Sequence, residues 1–363
     1  MDSFLHNFLS PPVPFFFVGL LAVIFHSDLE IPDQVSKFIS LYLLMAIGFK
    51  GGVELHESGL NAQVVLVLLF AIIMALAVPL WSFFLLRKKL GVPNAAALAA
   101  AFGSVSAVTF ITASNYFPAL EILENIKNMG LSQAITSNPN SFRPGGEMVA
   151  AMALMESPSI IIGVWLYRKF SDSKDGHHMD FKEIMKEAFL NGSIVVLLGS
   201  LLIGIVSNEH GSKIMSPFIG DIFKGMLSFF LLDMGVVAGK RIKALRDAGW
   251  VVVAFGLIMP LINGAIGFGI AYLLNFSAPN MFMFIVLCAS ASYIAVPAAM
   301  RIAVPDANPG IYVPVALAIT FPFNIIIGLP FYFYVTKLVH PAWASDFVQL
   351  MQKAATLSAA SGH

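Results

Sequence analysis

The sequence predicts an all-α polytopic membrane protein with ten transmembrane helices, arranged as two inverted five-helix repeats whose broken helices cross at the midplane. Three observations carry this prediction. Of the 363 residues, 58% are hydrophobic and 12% are charged, whereas soluble domains carry about 25% charged residues. Apolar runs of about 20 residues, the length that spans a bilayer, recur along the whole chain. Short polar motifs of the first half return in the second half at a nearly constant spacing.

Ten apolar segments form the predicted spans, and most of the connections between them are short. The two longer connections are 117–146 and 169–187, of which the second is rich in Lys, Asp and His. The predicted spans are residues 11–27, 34–53, 61–86, 93–116, 147–168, 188–207, 215–239, 248–274, 279–303 and 309–337.

A pair of Ser-x-Ser stretches marks the internal repeat. Ser-Val-Ser at 104–106 lies in the fourth span, and Ser-Ala-Ser at 290–292 lies in the ninth, 186 residues later. The pairs of motifs that follow the same order are Pro93-Asn94 with Pro279-Asn280, Gly48 and Gly52 with Gly235 and Gly239, and Ser159 with Asn324. The spacing falls to 165 residues for the last pair, which one insertion at 117–146 explains. The predicted organisation is a first repeat (1–168), a linker loop (169–187), a second repeat (188–338) and a C-terminal tail (339–363).

Five spans in each repeat turn the second repeat upside down in the membrane, which is the architecture of many secondary transporters. Most Lys and Arg residues lie in loops that are cytoplasmic if the N-terminus is outside, and basic loops face the cytoplasm. We therefore expect both termini on the non-cytoplasmic side and the 169–187 loop in the cytoplasm. Arg301 would then be an anchor at the cytoplasmic rim, with substrate steering as the alternative.

Composition also excludes several classes of function. A net charge of zero implies no nucleic-acid partner. The single cysteine, Cys288, allows neither a disulfide within the chain nor a Cys-based metal site. The chain has no glycine-rich phosphate loop, no HExxH motif and no GxSxG motif in a strand-to-helix context, so it is predicted not to be an enzyme.

The two Ser-rich stretches are the predicted substrate site. Antiparallel broken helices that meet at the midplane bring two half-helix N-termini together, and their free N–H groups attract a small anion. A serine in a membrane helix also bonds to its own helix, and small residues serve packing, so a structural role is the alternative for each stretch alone. The predicted substrate-binding residues are Gly103, Ser104, Val105, Ser106, Ser290, Ala291, Ser292 and Tyr293.

Two carboxylates, Glu156 and Asp233, lie in the middle of predicted spans. A charged side chain is costly there, so its default interpretation is functional. Oxygen donors near Pro158, which frees a backbone carbonyl, suit the hard cation Na⁺. The predicted Na⁺ ligands are Glu156, Ser157, Thr109, Asp233, Thr320 and Asn324. A structural hydrogen bond is the alternative for Asp233, and proton coupling is the alternative for both carboxylates.

Four segments resemble one transporter family. They are Phe102-Gly103-Ser104-Val105-Ser106, Ala289-Ser290-Ala291-Ser292, Ile47-Gly48-x-x-Gly51-Gly52 and Arg301-Ile-Ala-Val-Pro305-Asp-Ala-Asn308-Pro309. In these segments, and along essentially the whole chain, the sequence resembles the SbtA-type sodium-dependent bicarbonate permeases. The resemblance implies a core and a gate domain, Na⁺/HCO₃⁻ symport by an elevator-like motion, a homotrimer in the cell's inner (plasma) membrane, and a PII-like regulator that binds from the cytoplasm.

The sequence thus predicts a secondary active transporter, surrounded by membrane lipid, that carries Na⁺ and a small anion together by alternating access. Bicarbonate is the first candidate for the anion. A sodium- or proton-coupled carrier of small carboxylates is the nearer alternative. A membrane enzyme or receptor that uses the same polar pocket is the more distant one, because a catalytic site rarely needs symmetry about the membrane plane.

Overall fold

The computed structural model describes residues 12–59, 61–117, 139–171, 190, 192–207 and 209–360. Within these ranges every regular element is helical. The helices of the first half are α1 (Pro12–Ile24), α2 (Asp33–Ser58), α3 (Ala62–Gly103), α4 (Ala107–Ser114) and α5 (Glu147–Phe170). Those of the second half are α6 (Gly192–Val206), α7 (Glu209–Ser216), α8 (Ile222–Ala248), α9 (Trp250–Leu273), α10 (Ala278–Ala289), α11 (Ala295–Ala303), α12 (Pro309–Val339) and α13 (Pro341–Ala360).

Six of the described helical segments are long and apolar enough to cross a membrane. They are Asp33–Glu57, Ala62–Ser114, Glu147–Phe170, Lys213–Arg241, Trp250–Leu273 and Pro309–Val339. Three shorter apolar helices, Pro12–Ile24, Gly192–Val206 and Ala278–Ala289, accompany them. The core of a bilayer contains no water to hydrogen-bond backbone groups, so a spanning segment must satisfy them internally, as a helix does. A chain with this many apolar helical spans is therefore a multi-pass all-α membrane protein.

Helix boundaries differ from the predicted ones at two places. The third and fourth predicted spans form two helical stretches of α3 that meet at a kink at Gly91, whose φ of 75° lies outside the helical region, and no longer loop separates them. Glycine adopts that conformation without steric cost. The predicted C-terminal tail contains a helix, α13, and its Trp343 and Phe347 rings pack against Phe333 of α12. Residues 172–189, which include most of the predicted linker, lie outside the described residues.

Glycines bring two pairs of helices into close backbone contact. In the pair of α2 and α6, a methyl group on Gly52 or Gly204 would collide with a backbone oxygen of the other helix. In the pair of α1 and α8, the same holds for Gly19 and Gly235. Small residues permit this approach in membranes, where helix association depends on packing. The first helix of each half therefore packs closely against a helix of the other half.

Helix α12 is irregular where the sequence carries Pro322. Two π-helical turns, Val315–Thr320 and Asn324–Gly328, flank the short α-helical segment Phe321–Phe323. A π-turn widens the helix and often marks a functional position. Helix α5, by contrast, is α-helical throughout, although it contains Pro158.

Candidate functional site

Both predicted Ser-rich stretches interrupt a helix in the centre of the protein. Helix α3 ends at Gly103, and α4 begins at Ala107 after an extended Ser104 and an extended Ser106. Helix α10 ends at Ala289, and α11 begins at Ala295 after residues 290–294. Apart from the half-buried Ala107 and the exposed Ile294, the residues of the two interruptions and their helix ends are buried. The two interruptions are therefore interior features, close to each other and shielded from the surroundings.

Hydrogen bonds connect the two interruptions directly. The Ser292 N–H donates to the carbonyl of Ala101 at 2.8 Å. In the opposite direction, the Ser106 N–H donates to Ser290 Oγ at 3.0 Å, and that hydroxyl donates to the Leu287 carbonyl at 3.1 Å. Ala101 and Leu287 are themselves 186 residues apart. The Ser292 N–H thus bonds the Ala101 carbonyl directly, whereas the Ser106 N–H reaches the equivalent Leu287 carbonyl through the Ser290 hydroxyl.

The N-termini of α4 and α11 are capped differently. Ser106 Oγ accepts hydrogen bonds from the Thr109 N–H at 3.1 Å and from Thr109 Oγ1 at 2.9 Å. At α11, Ser292 Oγ accepts one long bond of 3.4 Å from the Val296 N–H, and Ile294 provides no side-chain cap. The Ser106 cap is therefore occupied by its own helix, whereas the Ser292 hydroxyl keeps hydrogen-bonding capacity for another group.

A cavity of about 30 Å³ lies between the interruptions, which is room for one or two water-sized groups. Predicted site residues lining it are Val105, Ser106, Glu156, Ser292 and Tyr293. Sequence analysis did not single out Ser40 of α2 or Ser193 of α6, which also line it. No described residue of this lining is Lys, Arg or His. The cavity thus combines one carboxylate with several hydroxyls and backbone groups.

Side chains of α5 and α12 donate hydrogen bonds to backbone carbonyls near the C-terminal ends of α3 and α10. Ser159 of α5 donates to the Ala100 carbonyl at 2.6 Å. Asn324 of α12 donates to the Ala289 carbonyl at 2.9 Å, and its Oδ1 accepts from the Tyr332 hydroxyl at 3.3 Å. Ser159 and Asn324 are the pair that the repeat predicted. Each thus carries out the same task, which is to bind a carbonyl near the end of a broken helix.

Two asparagines fasten the same helices from outside the interruptions. Asn94 Oδ1 accepts from the Asn308 N–H at 2.7 Å, in the loop before α12. Asn280 Oδ1 accepts from the Gly145 N–H at 2.8 Å, in the loop before α5, and its amide donates to the buried Glu147 at 2.6 Å. Asn94 and Asn280 belong to the predicted Pro-Asn pair. Each half therefore binds a loop of the other half.

The remaining predicted Na⁺ ligands do not line the cavity. Thr320 is buried and donates to the Gly256 carbonyl at 2.8 Å, and Ser157 is buried in α5. Asp233 is 2% exposed. Its carboxylate forms a hydrogen bond with the Ser36 side chain and interacts electrostatically with Asp33 and Lys240. Thr109 is engaged with Ser106. Of the predicted ligands, the structure thus brings Glu156 alone into the lining of the cavity.

The oxygen chemistry around the cavity fits a Na⁺ ion. Glu156 supplies a carboxylate, and Ser106 and Ser292 supply hydroxyls. Outside the lining of the cavity, Ser104 Oγ and Asp233 Oδ2 are buried without a hydrogen-bond partner among the described residues. Such oxygens are the ligands of hard cations, and the carbonyl end of a broken helix adds negative potential next to Ser104.

Tyr293 lines both the central cavity and a second cavity of about 310 Å³. Arg241 and Arg301 line this second cavity together with Ile294 and Pro297. Arg301 is exposed and lines this second cavity, and its position at the cytoplasmic rim stays a prediction. The ring of Tyr293 packs edge-on against Phe321 at 5.6 Å between centroids.

Comparison with protein families identifies the chain. The model of the Na⁺-dependent bicarbonate transporter superfamily matches residues 11–337, which include both interruptions and every residue of the central cavity. The search of curated proteins returned no match. The chain belongs to the Na⁺-dependent bicarbonate transporter superfamily, which is a family of membrane transport proteins and not of enzymes.

Proposed function

From this membership and the central cavity, we propose that the protein is a secondary active transporter that moves Na⁺ and bicarbonate together. The observation that carries the proposal is the composition of the cavity: one carboxylate, several hydroxyls and no basic side chain among the described lining residues. An anion beside an ionised Glu156 would place two negative charges in a region of low dielectric, which is strongly unfavourable. At least one cation must therefore enter with the anion, and this requirement is the physical basis of coupling.

We assign the anion to the donors of the two interruptions. The residues concerned are Gly103, Ser104, Val105, Ser106, Ser290, Ala291, Ser292 and Tyr293. Helix N-termini bind anions through N–H groups and their positive potential, and both α4 and α11 begin at the cavity. Bicarbonate is a small anion whose oxygens accept hydrogen bonds from serine hydroxyls and backbone N–H groups.

We assign Na⁺ to oxygen atoms grouped around Glu156, which is the charged ligand in the lining of the central cavity. Ser157 and Thr109 lie within one helical turn of Glu156 and Ser106 respectively. Asp233, Thr320 and Asn324 complete the proposed set, the last two in a supporting role because their side chains bind carbonyls of α9 and α10.

The proposed architecture is ten spans in two inverted repeats, 1–168 and 188–338, that form a core and a gate domain. The exchanged contacts support it: α1 packs on α8 while α6 packs on α2, and Asn94 and Asn280 each bind a loop of the other half. Such folds move by alternating access, here by an elevator-like shift of the core. The homotrimer, the inner (plasma) membrane location, the outward termini and a PII-like cytoplasmic regulator belong to the same proposal.

Uptake into proteoliposomes tests this function. Labelled bicarbonate should accumulate when an inward Na⁺ gradient is imposed, and a K⁺ gradient of equal size should not replace it. Transport of labelled acetate under the same gradient, without transport of bicarbonate, would instead favour a small-carboxylate carrier. A bicarbonate flux that follows an imposed pH gradient and ignores Na⁺ would replace Na⁺ coupling by proton coupling.

A further inference from the structure

A third cavity, which is strongly cationic, lies one helical turn from the central one. Its volume is about 270 Å³, enough for a small anion with several waters. Three helices line both cavities at successive turns: α2 with Leu44 and then Ile47, α4 with Ile111 and then Ser114, and α5 with Met152 and then Met148. We call this third cavity the vestibule.

Charge in the vestibule is unbalanced. Lys50, Arg143 and Lys224 line it, and Glu54 is the one acidic residue of the described lining. Arg143 pairs with Glu54 at 2.7 Å, and the two side chains are 9% and 18% exposed. That pair neutralises itself, so the charges of Lys50 and Lys224 remain.

Lys50 is the residue that needs an explanation. It is half-buried in α2, whereas Lys224 is exposed at the mouth of the vestibule. The four-residue spacing places Glu54 on the same helix face, yet that carboxylate is bound by Arg143. Among the described residues no carboxylate forms an ion pair with Lys50. Burial of an unpaired ammonium is costly unless a counter-charge accompanies it.

We propose that the vestibule is a second anion-binding site, in which Lys50 holds a small monovalent oxyanion such as bicarbonate before it passes to the central cavity. This inference rests on the proposed function and adds the place where the anion first binds. An ammonium is a compact point charge with three donors, which suits a transient contact with a small oxyanion. Lys224 at the mouth raises the local anion concentration by its long-range field. In the proposed orientation the vestibule opens to the outside.

Uptake kinetics in intact cells that express the protein test the vestibule, because only one face of the protein meets the medium. Lys50→Met should raise the half-saturating bicarbonate concentration at least about fivefold, since a charge close to the anion is lost. Its maximal rate at saturating bicarbonate should stay within about twofold, because the central cavity is intact. Lys50→Arg keeps the charge and should restore most of the affinity.

Lys89→Met is the matched control, because Lys89 is exposed near the end of the third predicted span and lines none of the three described cavities. It should leave both kinetic parameters unchanged. Lys224→Gln at the exposed mouth should raise the half-saturating concentration about twofold, and this effect should fade at high ionic strength because salt screens exposed charges.

An unchanged half-saturating concentration in Lys50→Met at the wild-type maximal rate would overturn the proposal. Should Lys50→Met fail to reach the membrane, Lys224→Gln decides: an affinity equal to that of wild type at low ionic strength would also overturn it. Absence of Na⁺-dependent uptake by the unmodified protein is a distinct result, since it would remove the proposed function itself and the vestibule site with it.

Discussion

The two halves of the site share a backbone plan but differ in chemistry. At the spacing that relates Ser159 to Asn324, Glu156 of the first half corresponds to Phe321 of the second. At the spacing that relates the Ser-x-Ser stretches, Thr109 corresponds to Ala295. The first half therefore has a carboxylate and a serine cap occupied by its own threonine. The second has an aromatic pair and a weakly capped helix.

This difference suggests how the proposed site favours a cation next to one half and an anion next to the other. A symmetric pair of hydroxyl-lined interruptions would offer the same environment on both sides. The first half has the carboxylate of Glu156, which attracts a cation. The second half has Phe321 at the corresponding position, so its helix N-terminal donors face no competing negative charge. We expect Na⁺ next to Glu156 and the anion at the donors of the interruptions, nearest Ser292, and the substitutions below test this division.

The largest effect is expected for Glu156→Gln, which removes the only formal charge of the central cavity's described lining. The half-saturating Na⁺ concentration should rise at least about tenfold, equivalent to about 1.4 kcal/mol. The half-saturating bicarbonate concentration, measured at saturating Na⁺, should change much less. Glu57→Gln, on an exposed residue at the end of α2, is the control in the same uptake assay. An unaltered Na⁺ dependence would make Glu156 a structural residue.

Ser292→Ala should cut bicarbonate uptake at least about tenfold, because a donor to the anion is lost. Ser106→Ala should cut it to a similar extent and in addition destabilise the protein by about 1 kcal/mol, since it removes an N-cap. Uptake per molecule at the membrane and the melting temperature in detergent measure the two effects separately. Normal uptake by both variants would show that these serines do not bind the anion. Equal melting temperatures of the two variants would contradict the stronger capping role of Ser106.

The smallest effect is expected for Ser104→Ala, and its comparison with Ser290→Ala is the sharpest test of the asymmetry. Ser290→Ala leaves the Ser106 N–H and the Leu287 carbonyl without the bridging hydroxyl, which should cost about 1–3 kcal/mol of stability. Ser104 Oγ has no described partner, so Ser104→Ala should change stability by less than about 0.5 kcal/mol. Thermal unfolding in detergent compares the two variants. A larger loss of stability in Ser104→Ala would contradict the hydrogen-bond arrangement described above.

Much of the site could be predicted because its signals are local. A Ser-x-Ser stretch inside an apolar run interrupts a helix through its own backbone preferences, and the repeat placed its partner without any knowledge of contacts. Glu156 was recognisable because a carboxylate in a membrane span is rare. The vestibule was not recognisable: Lys50, Arg143 and Lys224 are separated by many residues, and each alone resembles an ordinary basic residue near a membrane surface.

The sequence by itself determined the membrane class and the positions of both helix interruptions, because bilayer thickness and helix geometry act on neighbouring residues. It also nominated Ser106, Glu156 and Ser292 as candidates, and these three line the central cavity. Only the tertiary structure decided which hydroxyls face the cavity, how Ser290 bridges the two interruptions and where Lys50 lies. A span that is apolar on every side carries no periodicity to show which face turns inward. That choice depends on packing against helices from the other half of the chain, where a missing methyl group at Gly52 or Gly235 lets two backbones meet.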